Sequence, residues 1–67
     1  MKIMNEKFVI STKDFPLKFS NASGEYEDNI EDARFYYSAQ DADYMLRHSF
    51  DEPEKHRVIK VDVTYEF

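Results

Sequence analysis

The sequence predicts an α+β fold: a three- to four-stranded, mostly antiparallel sheet with one helix packed across one face, in the order β-β-β-α-β. Three observations point there. The C-terminal stretch "RVIKVDVTYEF" alternates apolar and polar residues with the period of a strand. Residues 38–50 carry a helical period behind a capping signal. Residues 6–20 hold two short alternating runs split by a turn.

In chain order, "EKFVIST" at 6–12 reads as the first strand, with Phe8 and Ile10 on one face and Lys7, Val9 and Ser11 on the other. "TKDF" is a turn, and "PLKFS" a second short strand with Leu17 and Phe19 inward and Lys18 outward. Pro16 has no ladder N–H, so it belongs at the start of that strand or on an edge. "SNASGEYEDN" is turn chemistry around the single glycine, Gly24. Ile30 and Ala33 sit three apart, which suits one helical turn. "RFYY" then reads as a third strand, with Phe35 and Tyr37 on one face and Arg34 and Tyr36 on the other, open face beside Lys7, Lys18 and Lys60.

Ser38 opens the helix. Its hydroxyl is placed to accept from the Asp41 N–H, and Asp41 to reach back. Asp41 and Asp43 lie near the positive helix end and Arg47 and His48 near the negative one. Ala39, Ala42, Leu46 and Phe50 share one stripe, which turns Tyr44 away from the core. "DEPEK" is a polar connection. In the last strand Ile59, Val61, Val63, Tyr65 and Phe67 form the expected buried face against Lys60, Asp62, Thr64 and Glu66. Were the "RFYY" and last strands parallel, their crossover through the helix would be right-handed.

Sixty-seven residues make one domain, 1–67, with a thin core. No cysteine is present, so a disulfide framework and a thiolate zinc site are both excluded. The N-terminus lacks a signal-peptide h-region and no run suits a membrane span, so a cytoplasmic protein without membrane contact is expected. Aromatics at 16% argue for a packed domain, because each ring buries a large area.

Catalysis is not expected. No nucleophile elbow or phosphate-cradling glycine loop occurs, and His48 and His56 lie in or near a polar connection, where they read as surface residues. No metal or other cofactor is expected, since neither "EYEDNIED" nor "HSFDEPEKH" has a ligand spacing that matches a known site. Direct nucleic-acid binding fails on the sign of the charge. The net charge is −5, and its distribution is uneven. Residues 25–54 hold ten acids and two bases, whereas the rest of the chain holds four acids and seven bases.

Those acids recur in three elements: Glu25, Glu27, Asp28, Glu31 and Asp32 in one loop, Asp41 in the first helical turn, and Asp51 and Glu52 after the helix. Tyr26 and Tyr44 are interleaved with them. Tyrosine supplies apolar area and a cation–π face, and carboxylate a bidentate partner for arginine. The ten residues Glu25, Tyr26, Glu27, Asp28, Glu31, Asp32, Asp41, Tyr44, Asp51 and Glu52 are therefore the expected partner-binding surface. Its partner would be a larger protein with a basic site. The alternative is a small structural or regulatory homodimer whose acidic face serves solubility only.

"IEDARFYYSAQDADYML" followed by "VIKVDVTYEF" resembles, in layout and charge, the small acidic proteins encoded by bacteriophages and mobile elements. The resemblance spans most of the chain and transfers no individual residue role. Some such proteins look like nucleic-acid mimics that block restriction or CRISPR nucleases. The resemblance therefore implies an inhibitor of a nucleic-acid-handling or defence enzyme, acting in the host cytoplasm.

Overall fold

The computed structural model describes residues 1–66. It is an α+β fold, with one four-stranded antiparallel sheet and one α-helix. The strands are β1 (Lys2–Thr12), β2 (Phe19–Ser20), β3 (Tyr26–Glu27) and β4 (His56–Glu66), in the spatial order β3-β2-β1-β4. The helix α1 spans Ala39–Ser49, and single 3₁₀ turns occupy Ile30–Asp32 and Pro53–Lys55. The peptide bond between Phe15 and Pro16, in the β1–β2 connection, is cis.

β1 and β4 form an unbroken ribbon from Lys2↔Glu66 to Thr12↔His56. Opposed residues of antiparallel strands share a face. Ile10 opposite Val58 and Phe8 opposite Lys60 therefore define the helix side, and Val9 opposite Ile59 and Lys7 opposite Val61 define the other. The core confirms this parity: Ile10, Tyr36, Ala42 and Leu46 are buried together, with Phe8, Met45, Phe50 and Val58 packed on them.

Local chemistry accounts for the helix. Ser38 has extended backbone, and its Oγ accepts from the Asp41 N–H at 3.1 Å. Such a cap stabilises a helix by about 1 kcal/mol. Asp43 and Arg47 pair one turn apart at 2.9 Å. Of the predicted stripe, Ala42 and Leu46 are buried, Phe50 is half-buried at the C-cap, and Ala39 is exposed.

Several strand expectations are corrected. The third strand is Tyr26–Glu27, within the stretch read as turn, and "RFYY" contributes only a bridge between Tyr36 and Phe8. Asn21 is the cause. Its Oδ1 accepts from the N–H groups of Ser23 and Glu25, and Gly24 takes a φ of 82°, so the chain reverses tightly and Tyr26 pairs with Ser20. The bridge also turns Tyr36 into the core, 8% exposed, rather than onto an open face with the lysines, while Tyr37 is 82% exposed. Phe19 lies opposite Ser11 and so faces away from the helix.

β4 is corrected in the same way. Ile59, Val61 and Val63 lie on the side opposite the helix and are half-buried, because the register places Val58 opposite Ile10. Val9 and Ser11 are nevertheless fully enclosed, so the centre of β1 is buried on both faces. All strand pairs among the described residues are antiparallel, so no parallel crossover arises there. Phe67, read as the end of the last strand, lies outside the described residues.

Candidate functional site

A cleft of about 520 Å³ opens where the β2–β3 turn meets the end of α1 and the 50–52 connection. Tyr26, Tyr36, Phe50 and His56 give it aromatic walls, and Asp51 and Glu52 stand in its lining beside Asn21 and Arg34. A second depression of about 350 Å³ is lined by Arg34, Tyr36, Tyr37, Asp41, Tyr44 and Met45. Arg34, Tyr36 and Met45 line both, so the two adjoin.

His56 organises the larger cleft. It is 9% exposed, its Nδ1 lies 2.8 Å from the Glu52 carbonyl oxygen, and its Nε2 lies 2.7 Å from the Tyr26 hydroxyl. A carbonyl only accepts, so Nδ1 carries the proton. In the neutral ring Nε2 then accepts from the Tyr26 O–H. The Phe50 ring meets the imidazole edge-on at 5.0 Å, and the Tyr26 ring stacks near it at 5.7 Å. Tyr26 thus keeps 47% exposure while its hydroxyl is fixed. This role of His56 was missed in the sequence. Its place two residues before Val58, on the helix-side parity of β4, is the signal that could have exposed it.

The predicted partner-binding residues divide into groups. Tyr26, Asp51 and Glu52 meet around the larger cleft. Asp41 and Tyr44 border the smaller one, where the Tyr44 ring packs on His48 at 4.3 Å. Glu25, Glu31 and Asp32 are exposed, and none of them, nor Asp41 or Asp51, forms an ion pair among the described residues. Three acids are engaged elsewhere. Asp28 is paired with Lys18, Glu27 accepts from the Asn21 side-chain amide at 2.9 Å, and Glu52 lies 3.4 Å from Lys55. Glu27 also pairs with Phe19, on the side of the sheet away from the helix. Arg34 lines both depressions, and its guanidinium sits 5.0 Å above the Tyr36 ring.

Among the described residues no group of three or more His, Asp or Glu side chains is placed to hold a metal ion. No described helix is long and apolar enough to cross a membrane.

No family model, curated protein or solved structure matches this chain.

Proposed function

We propose that the protein is a non-catalytic binding module that docks its acidic, tyrosine-bearing side onto a basic site of a larger protein. The observation that carries this reading is the cleft. Aromatic rings wall it, Tyr26 is held ready in it, and Asp51, which forms no ion pair among the described residues, stands in its lining where a cationic head group would lie. Asp41 borders the adjoining depression, and Glu25, Glu31 and Asp32 are further exposed carboxylates; none of the four has a cation partner among the described residues.

A guanidinium entering the cleft would stack on a ring and meet a carboxylate, the two contacts that favour arginine over other side chains. Tyr26 needs little ordering on binding because His56 already fixes it, which lowers the entropic cost of the complex. The surrounding acids would speed encounter with a positively charged target. A site built to hold phosphates is such a target, so the proposed partner is a nucleic-acid-handling or defence enzyme, inhibited because the acids occupy its phosphate positions.

The test is calorimetric titration with an arginine-rich peptide at low salt. The variant Glu25→Gln/Asp41→Asn/Asp51→Asn should lose most of the binding. A control of equal charge, Glu6→Gln/Asp14→Asn/Glu66→Gln, should keep it. Equal weakening by both sets would reduce the interaction to net charge and overturn the site.

A further inference from the structure

The two edges of the sheet differ. β3 is two residues long and offers almost no template, whereas β4 runs eleven residues to Glu66 with no proline or bulge in its pairing to β1. Long regular edges of this kind recruit another strand unless something blunts them.

The outward-pointing backbone groups of β4 can be identified. On the far edge of β1, Phe8 exchanges both backbone bonds with Tyr36, and Thr12 donates to Lys18. The even-numbered residues of β1 therefore bond away from β4, and its odd-numbered residues bond toward it. Lys7 pairs with Val61 and Val9 with Ile59, so the odd residues of β4 are taken up by β1. The N–H and C=O groups of Val58, Lys60, Asp62 and Thr64 point outward.

We propose that a second copy of this chain pairs with that edge, β4 against β4 and antiparallel about a twofold axis at Val61. In that register the sequence around Val61 is self-complementary, and the registers two residues to either side are not. Lys60 falls opposite Asp62 of the second copy, Ile59 opposite Val63, and Arg57 opposite Tyr65. A slip of two residues one way sets Lys60 against its own copy, and a slip the other way sets Asp62 against its own. Both place like charges on the axis, and a one-residue slip is incompatible with the twofold because it exchanges the faces. Lys60 keeps its bond to Glu6 of its own chain at 3.0 Å, on the same side of the sheet.

The product is a twofold dimer with one continuous sheet, in which β4 is consumed in both copies. The half-buried Ile59, Val61 and Val63 of the two chains then form one apolar strip. This inference does not rest on the docking proposal. β4 contributes only its first residue, His56, to the acidic cleft, and a dimer would present two such clefts at once.

Sedimentation equilibrium from about 10 µM to about 1 mM tests it. The wild type should pass from 8.1 kDa toward twice that mass. Lys60→Glu and Asp62→Lys should each stay monomeric, with dimerisation weakened at least about tenfold, because each sets like charges opposite one another. Mixed together they should dimerise. The carboxylate introduced at position 60 of one chain then meets the ammonium introduced at position 62 of the other, and the unaltered Asp62 and Lys60 still face each other. Circular dichroism on each variant checks that it is folded, and the mixing step itself requires folded chains. A wild type that stays at 8.1 kDa throughout, or one whose edge takes up only a foreign peptide, would overturn the proposal. So would single variants that dimerise as well as the wild type, or a mixture that stays monomeric.

Discussion

Replacing Tyr26 with phenylalanine removes one hydroxyl and leaves the ring in place. In the folded protein that hydroxyl lies 2.7 Å from His56 Nε2, to which it donates when the ring is neutral, and the histidine is 9% exposed. A hydrogen bond of this kind contributes about 1 kcal/mol net, and an abandoned partner in a mostly buried position costs about 1–2 kcal/mol. Tyr26→Phe should therefore destabilise by about 1–2 kcal/mol, or roughly 4–8 °C in Tm per kcal/mol for a domain this small. His56→Ala should cost more, about 2–3 kcal/mol, because it also removes the ring from Phe50 and frees the Glu52 carbonyl. The double variant isolates the bond itself. Urea unfolding followed by circular dichroism should give a coupling of about 1 kcal/mol between the two sites. Additivity to within about 0.3 kcal/mol would show that His56 does not hold Tyr26, and the preorganised anchor would be lost from the account.

Other substitutions probe the scaffold. Leu46→Ala opens the contact between α1 and the sheet at a residue 8% exposed, and should lower stability by about 2–5 kcal/mol, a large share of a domain's total; the urea midpoint reads this directly. Ser38→Ala deletes the acceptor for the Asp41 N–H and should cost about 1 kcal/mol, while Ser38→Asp should restore most of it in the same assay. The Lys60 ammonium is held above the ordinary lysine range by its hydrogen bond to Glu6, then by the charges of Glu6 and Asp62. A raised folded-state pKa stabilises below the unfolded value and is lost as pH rises through the folded one. Thermal unfolding above about pH 10 should thus lose a small, salt-sensitive increment that Glu6→Gln lacks.

How far the sequence discloses this molecule depends on the range of the interaction. The α1 boundaries and cap were legible because Ser38 and Asp41 are three residues apart and the Ala42–Leu46 stripe repeats within one helix. β1 and β4 were legible as strands from alternation. Their faces were harder, because alternation marks two sides without saying which one the helix covers. Only the long-range pairing of Ile10 with Val58 settles that, and it reverses the reading of Ile59, Val61 and Val63. The two-residue β3 carries no periodic signal, and it exists because the Asn21 side chain folds the turn back on itself. The cleft was half legible. Acids and tyrosines stood out by composition, but His56 did not, since a histidine beside a proline and acids reads as solvated until its ring is seen between Tyr26 and Phe50. Asp28 and Glu27, prominent in the sequence, are already engaged by Lys18 and Asn21.

The docking proposal meets its most direct test in a host lysate passed over the immobilised protein. At low salt the wild type should retain a nucleic-acid-handling enzyme that elutes with double-stranded DNA or with high salt, and the Glu25→Gln/Asp41→Asn/Asp51→Asn variant should not retain it. Retention of the same proteins by wild type and variant, or elution unaffected by DNA, would contradict the claim that the acidic, tyrosine-bearing side occupies a phosphate-binding site.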